Sequence, residues 1–390
     1  MKLPLSLGLV LGIIGCGGGL NPSSTPNDAA LVDSGVVSDS VTTSDTTTND
    51  TSTADASTTD TSAPDTATPP LPACLGDAKA LVVSSSLPFT DVKIGTATGA
   101  FLVDFGTTRS TIDLAAFATP PTATGCNPAL LGQSCSFAGF DFFGGWGTVT
   151  LVTADHSGIV ASVREAGILG TDFLSVNAFT LDYAGKRILR AQKATFCPDS
   201  ALTAAGLVAL PSTGFYSSVL STLKPLSDVV SGAAAGTHVP NVPTVPLRVA
   251  GATAVAQLDT GFDDALVPYS INVNAAFYDA IVAKSPTALV RAASKDLSLS
   301  TCVSGVSENV EAYTLASGVA AELLSTGDVA ARRHPSAVLF VKRTPSSAKV
   351  CGGIGTWTAP AAQVAGSFFV DAGVMVFDPF GSRVWVRPKP

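Results

Sequence analysis

Residues 254–261 read AVAQLDTG, and residues 100–106 read AFLVDFG. Each stretch carries an aspartate out of a β-prone run onto a tight turn, where glycine lets the backbone bend closely behind the carboxylate. Asp104 and Asp259 lie 155 positions apart, and the apolar residues that precede them keep the same offset. Asp-x-Gly is also ordinary turn chemistry. Its duplication nevertheless indicates two copies of one design, each of which contributes one aspartate.

A second pair of matched stretches, 170–188 and 366–384, lies downstream of these loops. Each stretch begins with a glycine after two apolar residues, Gly170 in the first copy and Gly366 in the second. Each then reaches an aspartate that is followed three positions later by another glycine. The two stretches match at an offset of 196, so we expect Gly170 and Gly366 to be equivalent.

These motifs resemble those of two-lobed aspartic peptidases of the pepsin and retropepsin type, over roughly residues 85–388. That family carries an apolar-Asp-Thr/Ser-Gly loop in each lobe and an apolar-apolar-Gly segment that crosses behind the loop. The resemblance implies an all-β, bilobal fold, in which two related β-barrel-like lobes enclose a cleft and helices are few and short. It also implies that Asp104 and Asp259 are the catalytic pair of an endopeptidase.

The implied reaction is hydrolysis of a peptide bond by a water molecule held between two carboxyl groups. Two adjacent carboxyl groups cannot both ionise comfortably, so they share one proton. The ionised group takes a proton from the water, and the protonated group hydrogen-bonds the substrate carbonyl. The pair titrates as a unit, so neither role is assigned to one aspartate. The three histidines are isolated and no zinc-binding spacing occurs, so no metal or other cofactor is expected.

The residues expected to support the two loops are Gly106, Thr107, Thr260 and Gly261. In the family the hydroxyl after each aspartate reaches across to the backbone of the opposite loop. Thr260 can make that bond and Phe105 cannot, so Phe105 must pack where the hydroxyl would lie, or the pair is held less rigidly. At the position that follows each loop glycine, the first loop has Thr107, which can donate a hydrogen bond to Asp104, and the second has Phe262. Phe262 offers Asp259 no such donor, which predicts a raised upper pKa for the pair.

The glycine-rich stretch 142–150 is typical of a hairpin with a mobile tip, and the family places a flap at this point of the chain. The resemblance therefore implies that Trp146 covers the substrate and hydrogen-bonds it through the indole N–H. The alternative is an aromatic residue on an ordinary hairpin. Strands are also predicted at 89–95, 99–105, 148–153 and 383–387, and helices at 216–226 and 275–284.

The first residues combine a basic head with an apolar run that ends just before Cys16, which predicts a signal peptide at 1–15. The run resembles a bacterial lipobox, which implies lipid attachment to Cys16; the alternative is an ordinary signal peptide. Residues 16–73 are rich in Thr, Ser and Asp and predict a disordered linker. We expect an N-terminal lobe at 74–205, a C-terminal lobe at 206–390, and a lipid-anchored protein at the outer membrane or cell surface. The periplasmic side is an alternative location.

Charge is distributed unevenly along the chain, whose formal net charge is −8. Eight aspartates lie in the linker, where neither Lys nor Arg occurs, so the remainder of the chain is close to neutral. A near-neutral globular part gives no reason to expect a nucleic-acid partner or an attraction to acidic membranes. The expected partner is a peptide or protein substrate, bound by a monomer.

Cysteine usage favours export, because lipidation of Cys16 leaves six of the seven cysteines, an even number. Six cysteines allow 15 connectivities. On the two-lobed interpretation the expected disulfides are Cys126–Cys135, which closes a short loop, Cys302–Cys351, at a position where the family often carries a bridge, and Cys74–Cys197, which fastens the start of the first lobe to its end. The alternative is a set of buried free thiols.

Three functions remain open on the sequence. The leading hypothesis is a lipid-anchored aspartic endopeptidase. The second is a catalytically inactive relative that binds a peptide or protein in the cleft, and the third is a purely structural surface lipoprotein. A hydrogen bond of about 3 Å between the two carboxyl groups favours the first.

Overall fold

β-Strands dominate the computed structural model, which describes residues 69–157, 162–212, 242–301, 303–351 and 353–389. The strands, in chain order, are β1 Asp77–Ala80, β2 Val82–Ser84, β3 Leu87–Ile94, β4 Ala97–Val103, β5 Thr111–Ile112, β6 Ala123–Thr124, β7 Ser134–Asp141, β8 Gly145–Thr153, β9 Glu165–Leu169, β10 Ala178–Asp182, β11 Arg187–Ala191, β12 Val208–Pro211, β13 Thr244–Val249, β14 Ala252–Leu258, β15 Ser270–Asn274, β16 Leu289–Arg291, β17 Leu297–Ser300, β18 Ser307–Leu315, β19 Ala321–Leu324, β20 Ala330–His334, β21 Val338–Lys342, β22 Ala361–Val364, β23 Val374–Asp378 and β24 Arg383–Val386. The described α-helices are α1 Thr171–Leu174, α2 Asp199–Ala204, α3 Ala275–Lys284 and α4 Gly366–Ala372. The expected all-β class is therefore confirmed.

The helix predicted at 275–284 is confirmed as α3, with the same bounds. It begins where it does because Asn274 caps its first turn: the Asn274 Oδ1 accepts a hydrogen bond from the backbone N–H of Phe277 at 2.9 Å. The helix predicted at 216–226 lies outside the described residues. All four predicted strands are observed, with bounds that differ by one to three residues at one or both ends.

Three sheets organise the described residues. An eight-stranded sheet takes strands from the first half of the chain, in the order β2-β3-β4-β9-β5-β8-β7-β6. A ten-stranded sheet takes strands from the second half, in the order β16-β18-β21-β15-β22-β14-β13-β19-β20, with β17 beside β18. A six-stranded sheet, β1-β11-β10-β23-β24-β12, combines strands from both halves, and residues from 70 onward form one compact unit.

The two aspartate-bearing hairpins are copies of one another in register. The strands β4 and β14 begin and end 155 residues apart, and the pair Ile94 and Ala97 in one hairpin corresponds to Val249 and Ala252 in the other. Both hairpins turn through left-handed backbone at this point, with a φ of 62° at Gly95 in the first copy. The internal repeat predicted from the sequence is therefore a repeat of structure as well.

The strand that crosses behind each loop shows one difference from the predicted repeat. The backbone N–H of Asp104 donates to Leu169 O at 3.0 Å, and that of Asp259 donates to Val364 O at 3.2 Å. Leu169 therefore corresponds to Val364, at an offset of 195 rather than 196. The predicted equivalence of Gly170 with Gly366 is wrong by one position, because nine residues connect β22 to β23 where eight connect β9 to β10.

The offset of 196 holds again in the six-stranded sheet, where β10 and β23 are corresponding strands and pair with each other. Phe179 faces Phe377, and Leu181 faces Met375. The offset of 196 relates Phe179 to Met375 and Leu181 to Phe377, so exchanging the two copies converts each of these pairs into the other. The centre of the sheet therefore has a local two-fold symmetry. The sheet joins the two halves of the chain through copies of one strand.

Two of the three predicted disulfides are confirmed: Cys74 bonds Cys197, and Cys126 bonds Cys135. Cys302 and the anchor residue Cys16 lie outside the described residues, so the third disulfide and the lipidation stay predictions. Disulfides are typical of proteins that fold in an oxidising, exported environment. Within the described part of the chain, no helix is long and apolar enough to cross a membrane.

Candidate active site

The structure brings Asp104 and Asp259 together at the ends of β4 and β14, the strands that the repeat relates. Asp104 is buried and Asp259 is partly exposed. The two carboxyl groups share a hydrogen bond. Residues 155 positions apart in sequence thus form one pair, and the predicted site residues meet.

Each loop glycine makes room for the carboxyl group of the opposite loop. A Cβ atom added at Gly106 would lie 2.3 Å from the Asp259 Cγ, and one added at Gly261 would lie 2.6 Å from the Asp104 Cγ. Both distances are far below van der Waals contact. The glycine of each Asp-x-Gly motif is therefore required by the partner aspartate, not only by its own turn.

The same glycines donate hydrogen bonds to the aspartates of their own loops. The Gly106 N–H donates to Asp104 Oδ1 at 2.6 Å, and the Gly261 N–H donates to Asp259 Oδ1 at 2.9 Å. Backbone donors of this kind stabilise a negative charge on a carboxyl group. They fix the carboxyl groups while leaving them free to share a proton.

Burial raises the pKa of both aspartates. The pKa of Asp259 is raised well above its usual value, first by burial and then by the charge of Asp104 and the hydrogen bond with it. The pKa of Asp104 is also raised by burial, but the Gly106 N–H and the hydrogen bond from Asp259 oppose that rise. Because burial and mutual charge disfavour two ionised carboxyl groups, the pair holds one shared proton and titrates as a unit. An ionised acceptor beside a protonated donor can activate a water molecule and polarise a carbonyl group.

Thr260 links the two loops as expected. Its hydroxyl donates to Val103 O at 2.7 Å and accepts the backbone N–H of Phe105 at 2.9 Å. Phe105 cannot return this bond, and its buried ring stacks on Phe377 of β23, with centroids 3.6 Å apart. The Thr260 hydroxyl thus joins the two loops. The stack of Phe105 on Phe377 fastens the Asp104 loop to the six-stranded sheet.

We expect Thr260→Val to lower the free energy of unfolding by about 2 kcal/mol, because a buried carbonyl and a buried N–H lose their partner. Thr260→Ser keeps the hydroxyl and should lose much less. Chemical denaturation of both variants measures the difference. Equal stability of the Val and Ser variants would show that the hydroxyl does not join the loops.

Thr107 does not contact Asp104 as predicted. Its hydroxyl lies near the backbone of Arg109, at 3.5 Å from the carbonyl oxygen and 3.4 Å from the nitrogen. The local turn after Gly106 directs the side chain towards its own backbone.

Gly170 and Gly366 both lie where no Cβ fits: an added Cβ would lie 2.8 Å from the Arg109 carbonyl carbon and 2.8 Å from Ser86 O, respectively.

A glutamine that sequence reasoning missed supplies the side-chain donor that Phe262 lacks. Gln363, on β22, donates through Nε2 to Asp259 Oδ2. Its own Oε1 accepts a hydrogen bond from Asn272 Nδ2 at 3.0 Å. Phe262 itself offers Asp259 no donor, as expected, and Gln363 supplies one from another strand. A polar residue inside an apolar strand could have identified Gln363 from the sequence. The offset of 196 aligns Gln363 with Gly167, however, so the sequence comparison did not place it beside Asp259.

The hairpin formed by β7 and β8 is anchored rather than free at its tip. Phe142 is fully buried and stacks on Phe179 of the six-stranded sheet, and Phe143 also packs on Phe179. Trp146 packs on Phe173, and its indole N–H donates to Phe142 O at 2.8 Å. The predicted mobile tip is wrong, because two adjacent phenylalanines hold it. A contact of Trp146 with substrate stays a prediction.

A buried polar cluster behind the Asp104 loop was also missed. His156 Nδ1 lies 3.1 Å from Glu165 Oε1, and His156 Nε2 lies 2.9 Å from the Thr111 hydroxyl. Burial and, secondarily, the charge of Asp104 raise the pKa of Glu165 to about 8, and burial lowers the pKa of His156. The pair is therefore neutral near pH 7. Among the described residues, no group of three or more His, Cys, Asp or Glu side chains could hold a metal ion.

Comparison with known proteins identifies no relative. No protein-family model matches the chain, and no curated protein sequence matches it. The functional assignment therefore rests on the geometry of the site.

Proposed function

We propose that the protein is an aspartic endopeptidase that hydrolyses peptide bonds with a water molecule activated by Asp104 and Asp259. The observation that carries the proposal is the reciprocal packing of the two loops. Each glycine accommodates the opposite carboxyl group, and the two carboxyl groups share a hydrogen bond. A turn aspartate with a merely structural role has no need of a second buried carboxyl group beside it.

The chemistry follows from the protonation of the pair. The ionised member of the pair accepts a proton from a water molecule held between the carboxyl groups, and that water attacks the substrate carbonyl. The protonated member donates a hydrogen bond to the carbonyl oxygen as negative charge develops there. Collapse of the tetrahedral intermediate then passes a proton to the leaving nitrogen. No covalent bond to the enzyme forms.

The bilobal arrangement of the family is part of this proposal. Three features support it: the in-register repeat of the aspartate hairpins, the strand that crosses behind each loop, and the symmetric order of the six-stranded sheet. On this interpretation the lobes span 74–205 and 206–390, and an extended peptide binds between them. Signal-peptide cleavage and lipidation at Cys16, with 16–73 as a tether, would hold the enzyme at the outer membrane or cell surface.

An inactive, peptide-binding relative is the second candidate, and Phe105 is the observation that favours it. The hydroxyl absent at this position leaves Thr260 as the one threonine that joins the two Asp-x-Gly loops. Looser loops would allow the carboxyl groups to separate. The stack of Phe105 on Phe377 argues against such loosening, because it fastens the Asp104 loop by other means.

The direct test is incubation of the purified protein with an unfolded protein substrate between about pH 3 and 7. We expect new peptide termini, and competition by a peptide analogue that carries a tetrahedral hydroxyl-bearing carbon in place of the scissile carbonyl. Such an analogue resembles the transition state and should bind far more tightly than substrate. Saturable peptide binding without any cleavage across this range would instead support the second candidate.

A further inference from the structure

Gln363 stands between two polar side chains at the back of the candidate site. Strand β22 lies between β15 and β14, so that Gln363 pairs with Asn272 on one neighbouring strand and with Gln257 on the other. Asn272 is 5 % exposed, and Gln363 is partly buried. Gln363 thus contacts Asp259 from the face of the sheet opposite to that of Ala362 and Val364, which pack in the main apolar core.

The orientation of the Gln363 amide group is fixed by Asn272. In the structure the Asn272 Nδ2 donates to the Gln363 Oε1, so the oxygen of the Gln363 amide group faces Asn272. The other end of the amide group, Nε2, is thereby presented to Asp259 Oδ2. A glutamine without this partner could rotate and would offer Asp259 an oxygen as readily as an N–H group.

The first copy of the repeat has no equivalent donor. The register of the crossing strands places Ile168 where Gln363 lies in the second copy. Ile168 packs with the buried residues Leu87, Phe89 and Leu102 and has no polar atom to offer. The two aspartates therefore differ in one respect: a neutral side chain donates to Asp259, and its counterpart beside Asp104 is apolar.

We propose that Gln363, held by Asn272, is a positioning residue that fixes the Asp259 carboxyl group opposite Asp104 and supports its ionised form during each catalytic cycle. This inference rests on the proposed peptidase function. In each cycle the pair takes a proton from the attacking water and releases a proton to the leaving nitrogen. A donor to Asp259 makes that release easier, because it stabilises the charge that remains.

The charged surroundings of Asp259 permit a prediction of direction. The titratable groups near it are Asp104 in the opposite loop, Asp263 and Asp264 further along its own loop, and, behind Asp104, Glu165 and His156. Asp264 is engaged by Ser367 and Ser270. None of these groups is a cation facing Asp259, so Gln363 and the Gly261 N–H oppose the effects of burial and of Asp104 on its pKa.

Gln363→Met keeps the length of the side chain and removes the donor. Loss of a donor to a carboxylate disfavours its charged form and raises the pKa. The singly protonated pair then persists to higher pH, so the alkaline limb of the kcat profile should move upward by about one unit. We expect kcat to fall about tenfold and KM to change by less than about twofold. Titration of carbon-13-labelled aspartate carboxyl groups by NMR should show the same upward shift without any substrate.

Ile168→Leu is the matched control at the corresponding position and should leave the NMR titration unchanged. The inference is overturned if folded Gln363→Met titrates as the parent does, or if Ile168→Leu shifts the titration equally. Should Gln363→Met not fold, Asn272→Ala must give a smaller shift in the same direction, and an unchanged titration overturns the inference. If Gln363→Met shifts the NMR titration but the parent protein cleaves no peptide, the positioning of Asp259 by Gln363 stands and the proposed peptidase function is refuted.

Discussion

The variants Asp104→Asn and Asp259→Asn should each abolish peptide hydrolysis, with kcat/KM lowered by roughly 10³-fold or more. Asparagine has nearly the same shape, but it can neither hold nor accept the shared proton. The two variants should be equally inactive, because the reaction uses the pair and not either residue alone. Cleavage of an unfolded protein substrate, followed by mass spectrometry, measures the effect.

Asp263→Asn provides the control for these two variants. Asp263 lies on the same loop as Asp259, where its carboxyl group accepts the N–H of Ala265. We expect this variant to retain parental activity. The catalytic pair would be refuted if a folded Asp104→Asn or Asp259→Asn protein kept full activity. Thermal unfolding should show both variants to be about as stable as the parent, because the asparagine amide can still hydrogen-bond the remaining carboxyl group.

The second large effect concerns the disulfide between Cys74 and Cys197. These residues are 123 positions apart, with Cα atoms 4.9 Å from each other. Cross-linking so distant a pair restricts the unfolded chain strongly, so the double Cys→Ser variant should lose about 4 to 5 kcal/mol of the free energy of unfolding. Cys197 is also buried against Leu75 and Leu189, which places the lost bond beneath the six-stranded sheet.

The bond between Cys126 and Cys135 is the matched comparison, because it spans only 9 positions. Its removal by the same pair of substitutions should cost about 2 to 3 kcal/mol. Guanidinium-induced unfolding of the two double variants measures both losses. Equal losses, or a larger loss for the short loop, would show that restriction of the unfolded chain does not govern the contribution of these bonds.

The buried pair of Glu165 and His156 sets a pH window for stability as well. A pKa of about 8 for Glu165 means that the folded protein holds a proton which the unfolded chain releases near pH 4.5. Stability is therefore lost progressively as the pH rises from about 4.5 to 8. The lowered pKa of His156 acts in the opposite direction, because the unfolded chain binds a proton there that the folded protein does not, and its contribution to stability is lost as the pH falls.

The sequence alone determined what depends on local patterns. The repeated Asp-x-Gly turns, the β-class and helix α3 were predictable, because alternation, capping residues and turn glycines act over a few positions. The two confirmed disulfides followed instead from the number of cysteines and the two-lobed interpretation. The pairing of Asp104 with Asp259 followed from the repeat. For Phe105 the sequence left two alternatives, packing of its ring where the hydroxyl would lie or a less rigidly held pair, and the structure shows the ring packed on Phe377.

Tertiary structure alone decided how distant side chains meet. The donor to Asp259 comes from Gln363, 104 positions away, and the ring of Phe105 stacks on Phe377, which no local pattern relates to it. The single-residue difference between offsets 195 and 196 lies in the connection from the crossing strand to the next strand, whose length sequence matching does not fix. These contacts depend on which strands become neighbours, and that follows from burial of the whole apolar surface rather than from the preferences of any one segment.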